Sequence, residues 1–326
     1  MKSVSSTILL LALISIPGLL SAQISGADLS EKLTVRIIPE FPKPNEPVTV
    51  RISSPSYNLD SSSIVWTANG EIVGQGTGVK EVTIQSQNIG VETLVTASIT
   101  LASGAVFQKN ININPAKIDF VWEAKTYTPP FYKGKALFSA ESGLVVTVIP
   151  QIYGVNGAIN PDDAIYKWTK NRQVLNNQSG YGKRSLHITG SFWGRDEEIT
   201  VEVTSKDGSV RAKGSVVVSP KNPMVVIYED SPLLGVLYNR AITSQFNLSQ
   251  NKEVTFFSSP FYFSSVAISE ENMLYEWSMN NEKIESASQG NSITFRAESE
   301  LKGASLVGLS IKRTDAISQK SSSQFY

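Results

Sequence analysis

The sequence predicts an all-β protein, three tandem antiparallel β-sandwiches behind a signal peptide. A strand carrying a central Trp recurs at Trp66, Trp168 and Trp277, about 100 residues apart, which is the length of one sandwich. Around each Trp the apolar residues alternate with period two between Gly, Pro and Asn turn signals, and no segment holds a 3.6-residue period over several turns. The first 22 residues follow a separate, export-signal pattern.

Lys2 supplies the positive start of that leader, Ile8 to Leu20 its apolar stretch, and Leu20-Ser21-Ala22 a small-residue cleavage site. The apolar run is shorter than the roughly 20 residues of a membrane span, and Pro17-Gly18 interrupts it, so cleavage after Ala22 is expected rather than anchoring. The expected destination is secreted or extracytoplasmic, at the cell envelope, with no stable membrane span after cleavage. Basic and acidic residues balance at 29 each, which provides no overall field for nucleic acid or an anionic membrane. The chain has no Cys, so neither disulfides nor thiolate metal sites contribute, and each core must carry its own stability.

Within each repeat a first alternating strand precedes the Trp strand: Val48 to Ile52, Val145 to Ile149 and Glu253 to Phe257. Each is followed by a Pro and a Tyr, Pro55 with Tyr57, Pro150 with Tyr153 and Pro260 with Tyr262, and proline is expected to end the ladder there because it has no donor. After the Trp strands come Gly turns at Gly76-Thr77-Gly78, Gly180-Tyr181-Gly182 and Gly290-Asn291, then strands around Val82, Leu186 and Ile293. Two closing strands complete each unit, the last of them in unit three weak and rich in Ser. Pro-containing junctions at Asn114-Pro115 and Ser219-Pro220 set the expected boundaries: domain 1 over 23–115, domain 2 over 116–220 and domain 3 over 221–326.

The run Pro42-Lys43-Pro44-Asn45-Glu46-Pro47-Val48-Thr49-Val50, followed by Val65-Trp66 and a Gly turn, resembles the bacterial immunoglobulin-like and PKD-like domains found in tandem on exported proteins. The resemblance implies immunoglobulin-like sandwiches with the Trp buried on the central strand. The chain departs from the usual PKD run after the Trp strand. Where Gly-Asp-Gly is common, it has Asn69-Gly70-Glu71, Asn171-Arg172-Gln173 and Asn280-Asn281-Glu282.

Little in the sequence reads as catalytic. The single His, His187, lies on an alternating strand between Leu186 and Ile188 and is expected to face solvent, which removes Ser-His-Asp and Cys-His arrangements. Asp162-Asp163, Asp196-Glu197-Glu198 and Glu270-Glu271 read as solvated acids of inter-strand loops, with loop calcium at Asp162, Asp163 or Asp196 as the alternative. No cofactor and no metal is expected, and no enzyme. Trp66, Trp168 and Trp277 are assigned to the core. The aromatics left as candidate binding residues are Trp193, unmatched in the other repeats, Tyr127, Phe131 and Tyr132 leading into unit two, Tyr238 leading into unit three, and Phe261 and Tyr262. Packing against the preceding domain is the other reading of these leading segments. The expected function is that of a non-catalytic exported spacer and protein-interaction protein at the bacterial envelope or cell surface. A glycan-binding accessory protein using exposed aromatics is the alternative.

Overall fold

In a computed structural model, residues 32–285, 290–297 and 303–326 are described. The leader expected at 1–22 lies outside them. β1 (Thr34–Ile38), β2 (Pro47–Ser53), β3 (Ser63–Ala68), β4 (Glu71–Thr77), β5 (Glu81–Gln85), β6 (Thr93–Thr100) and β7 (Val106–Ile113) come first. They form one sheet in the order β1-β2-β5 and a second in the order β4-β3-β6-β7. Strand order β3-β6-β7 with Trp66 on β3 is the C-F-G arrangement of an immunoglobulin-like sandwich.

The pattern then repeats. β8 (Lys117–Lys125), β9 (Gly143–Gln151), β10 (Tyr153–Gly154), β11 (Gly157–Ala158), β12 (Ala164–Lys170), β13 (Gln173–Val174), β14 (Gly180–Tyr181), β15 (Ser185–Thr189), β16 (Glu197–Ser205) and β17 (Arg211–Val218) give sheets β15-β9-β8 and β13-β12-β16-β17, with β14 also on β12 and a small β10-β11 hairpin. β18 (Met224–Ser231), β19 (Gly235–Ile242), β20 (Glu253–Phe261), the single turn α1 (Ser265–Ser269), β21 (Met273–Met279), β22 (Glu282–Lys283), β23 (Ser292–Arg296), β24 (Val307–Arg313) and β25 (Lys320–Phe325) give sheets β19-β18-β20-β23 and β22-β21-β24-β25. The Trp strands pair antiparallel with their neighbours in all three sets.

By the density of its internal contacts the chain divides into two compact units. Among the described residues the smaller takes those up to Ile37, Thr49–Ile84 and Leu94–Asn112; the larger takes Ile38–Val48, Gln85–Thr93 and Ile113–Tyr326. The second and third sheet pairs thus belong to one unit. The inward residues of the central strands are closed from solvent: Ile64 and Trp66, Tyr166 and Trp168, and Trp277 with Ile311 are all 0% exposed.

Each buried indole is satisfied in the same way. Its Nε1–H donates to a main-chain carbonyl in the loop before the next strand of the opposite sheet: Val79 O at 2.8 Å, Lys183 O at 2.8 Å and Gly290 O at 3.1 Å. An unpaired indole donor at these depths would offset part of what its ring contributes.

The residues standing where a PKD run has Gly-Asp-Gly form tight hairpin turns. Asn69 and Gly70, Asn171 and Arg172, and Asn280 and Asn281 all have positive φ, as a type I′ turn requires at both central positions. Each leading Asn also docks at the start of the strand that pairs with the other side of its Trp strand. Its Oδ1 accepts from the main-chain N–H of Leu94, Glu198 or Leu306 at 2.9 Å, and its own N–H returns a bond to that residue's carbonyl.

Proline does not end the ladder in units two and three as expected. Pro150 lies inside β9, opposite Ile118, and Pro260 inside β20, opposite Val225. The missing donor costs nothing there because β15 covers β9 only as far as Thr147, and β23 covers β20 only as far as Phe257. Val148 N–H still reaches Arg184 O and Ser258 N–H reaches Asn291 O, and beyond them each strand has a free side.

The leading segments of units two and three also diverge. Residues 232–242 fold back as β19 onto β18, closed by Gly235 at φ 71, whereas 127–142 carries no strand. Two consecutive prolines, Pro129 and Pro130, remove the donors a matching hairpin would need.

Candidate interaction surfaces

The aromatic residues singled out in the sequence are distributed over three settings. Tyr127, Tyr132, Phe261 and Tyr262 meet within the larger unit, where the segment after β8 joins the end of β20. Tyr127 N–H donates to Phe263 O at 2.8 Å, Tyr262 N–H donates to Tyr127 O at 2.8 Å, and Thr126 bridges Ser264. The two main chains therefore add one rung of antiparallel ladder between the second and third sheet pairs. Above it the Tyr132 and Tyr262 hydroxyls share a hydrogen bond of 2.8 Å, and the Tyr132 ring stands edge-on to Phe261 at 5.5 Å. Burial first, and the Tyr132 hydroxyl second, push the Tyr262 phenol up to about 12.

Phe261 and Tyr262, at 7% and 8% exposed, form a small cluster with Tyr228 against which Leu137, Val226, Val236 and Tyr238 pack. Their faces are occupied within the molecule. Tyr238 stands edge-on to Tyr228 at 5.2 Å and to Phe257 at 6.3 Å. The segment leading into unit two thus packs forward on unit three. The reason is the rung at Tyr127, which fixes the chain direction as it leaves β8.

Buried polar side chains that the sequence did not single out complete this junction. Gln319, 0% exposed, donates to Ala140 O at 2.8 Å and Ser139 Oγ at 3.3 Å, and its Oε1 accepts from Ser264 N–H at 2.9 Å. Ser139 Oγ donates to Tyr262 O at 2.7 Å. Arg313 donates to Glu141 O at 2.9 Å while paired to Asp315, whose carboxyl the guanidinium holds below the ordinary range. The Glu141 carboxylate accepts from the N–H groups of Ile317 and Ser318. None of these residues lies in a periodic apolar pattern, and Gln319 sits beside the weak, Ser-rich final strand.

A second setting is open to solvent. Phe131 is 93% exposed at φ 63, next to the anchored Tyr132, and Leu233 and Leu234 are 93% and 77% exposed at the tip of the β18–β19 hairpin. Both tips flank the Tyr228–Phe261–Tyr262 cluster through Tyr132 and Val236. The third setting is Trp193, 67% exposed, with its ring 4.3 Å from that of Phe192 and the Arg195 guanidinium 5.8 Å from its centroid.

Among the acids, Asp162, Asp163 and Asp196 are exposed, but Glu197 is not a solvated loop residue. It opens β16 at 0% exposure, paired with Lys170 at 3.2 Å and accepting from Asn171 Nδ2 at 2.7 Å and Ser191 N–H at 2.8 Å. Its charge is compensated, and it ties the Asn171 turn to the loop carrying Trp193. No group of three or more His, Cys, Asp or Glu among the described residues is placed to hold a metal ion. His187 is exposed on β15. No helix among the described residues is long and apolar enough to cross a membrane.

No protein-family model matches the sequence, and no curated protein matches it in sequence. Among solved structures the chain is similar to the fibronectin(III)-like modules of Clostridium thermocellum CbhA, at 12% identity and TM-score 0.28 over 58% of this chain and 94% of that one. It is also similar to the central fibronectin-III array of RIM-binding protein, at 12% identity and TM-score 0.29 over 88% and 92%. A third is the Bacteroides ovatus mixed-linkage glucan utilization protein SGBP-B in complex with a heptasaccharide, at 11% identity and TM-score 0.22 over 90% and 70%. At these values the likeness is one of strand arrangement alone.

Proposed function

We propose that this chain is a non-catalytic spacer and protein-interaction protein, exported by its leader and acting at the bacterial envelope or cell surface. Its three sandwiches would be domains over 23–115, 116–220 and 221–326. The observation that supports this reading is the pairing of a locked junction with exposed apolar tips. Buried hydrogen bonds from Gln319, Ser139 and Glu141 hold the second and third sheet pairs together, while Phe131, Leu233 and Leu234 lie in water beside that junction. Large apolar side chains at such exposure contribute little to the fold and suit a protein partner that covers them. A photoreactive residue placed at Phe131 or Leu233 in the native host is expected to cross-link one envelope protein, with the band lost in a Leu233→Ser, Leu234→Ser variant that keeps its thermal stability. Absence of any cross-linked protein, or a cytoplasmic location of the full chain, overturns the reading.

Exposed Trp193 beside Phe192 and Arg195 favours glycan binding as a second reading, since a flat, exposed indole suits stacking on a sugar ring. A glycan array distinguishes the two: signal that disappears in Trp193→Ala supports the second reading.

A further inference from the structure

We propose that the outer face of the β12-β16-β17 sheet binds an acidic oligosaccharide, a chain of uronic-acid sugars, in a trough separate from Trp193 and from the apolar tips. The trough has a volume of about 810 Å³, and all of its walls belong to the larger unit. One wall is the segment 39–43. Ala116 N–H donates to Pro42 O at 3.1 Å, Glu40 pairs with Arg211 at 3.4 Å, and the Phe41 ring lies 5.2 Å from the Arg211 guanidinium and 5.8 Å from Lys213 Nζ.

The floor is a ladder of side chains set by strand register. Thr169, Thr200 and Ser215 are direct cross-strand neighbours and form a row of hydroxyls, with rungs spaced about 4.8 Å apart. Lys167, Glu202 and Lys213 form the adjacent row on the same face. Arg211 occupies the Glu202 carboxylate. Lys43, Lys167, Arg172 and Lys213 therefore line the trough with no ion-pair partner among the described residues, against the one uncommitted carboxylate of Glu198.

Unpaired cations beside a row of hydroxyls match a ligand that carries carboxylates and hydroxyls on every ring. Phe41 adds apolar surface in the same trough for the ring faces. An acidic peptide is the weaker match. A peptide recognised in extended form pairs with a free strand edge, and the main-chain groups beneath this face are taken up in the ladders of β12, β16 and β17.

The test is calorimetric titration of the mature chain with hexagalacturonate at low and high salt, with cellohexaose as the uncharged control. Binding of the uronate alone is expected, weakened by salt and reduced about tenfold or more in Lys167→Ala, Lys213→Ala. Both lysines are exposed, so the double variant should melt like the parent. Thr200→Val provides a second, charge-neutral variant, with a severalfold loss expected. No uronate binding, or binding unchanged in both variants, overturns the proposal. Equal affinity for a polyglutamate peptide or single-stranded DNA of the same charge overturns the sugar assignment. Loss on Trp193→Ala with the lysine variant unaffected overturns the location.

Discussion

A tryptophan indole has a large ring and a single donor, and a position that closes around one without answering the other is poorly stabilised. In β3, β12 and β21 both demands are met, by the facing sheet and by one loop carbonyl. Trp168→Ala is expected to cost about 3 to 5 kcal/mol in chemical denaturation, from the cavity it leaves. The leading Asn of each hairpin combines a left-handed backbone with a side-chain bond to the strand on the other side of the Trp strand. Asn171→Ala should therefore cost about 1 to 2 kcal/mol, and Asn171→Gly, which keeps only the backbone freedom, should recover part of that in the same measurement. The Glu197 carboxylate is held by Lys170, Asn171 and Ser191 at a position closed from solvent. Glu197→Ala leaves Lys170 without its carboxylate and is expected to destabilise by about 3 kcal/mol.

Among the elements, the same residue type has different effects according to which side of a strand is covered. Pro150 and Pro260 sit within strands because the neighbour on one side stops short of them, whereas Pro129-Pro130 keeps 127–142 from folding back as β19 does. The hairpin that does form carries Leu233 and Leu234 outside any core. Leu233→Ser with Leu234→Ser is expected to shift stability by no more than about 0.5 kcal/mol, read from thermal melts. A larger loss would mean that the tip packs within the fold.

Across the larger unit, the junction between the second and third sheet pairs is built from buried polar groups whose partners come from both. Gln319→Ala leaves Ser264 N–H and Ala140 O without their partner, at a cost of about 2 kcal/mol. In denaturant, a shared transition of the two sheet pairs is expected to separate into two, followed by the fluorescence of Trp168 and Trp277. The larger unit is also expected to be sensitive to alkali, through Tyr262 at the junction and Tyr166 in the core of the second sheet pair. Tyr262 and Tyr166 are both raised to about 12, so the folded chain favours their neutral forms. That stability is complete below the ordinary phenol value of about 10 and is lost as pH rises from about 10 towards 12. Tyr132→Phe removes one cause of the shift at Tyr262, and its tyrosinate absorbance should then develop at lower pH.

Sequence by itself determined the all-β class and the strand assignment around Trp66, Trp168 and Trp277. Period-two alternation and turn residues are local properties that each repeat states independently. It also marked Trp193 as an aromatic unmatched in the other repeats, and that ring is exposed. It did not reveal which aromatics are covered. Phe261 and Tyr262 read like Phe131 in sequence, yet their burial depends on Tyr127 and Tyr132, more than a hundred residues earlier, meeting them across a junction. Gln319 and the unpaired Lys167 and Lys213 were equally silent, because a polar residue's role depends on its partners. Cross-strand register and the packing of one sheet pair on the next decide those partners, and both arise only when distant segments come together.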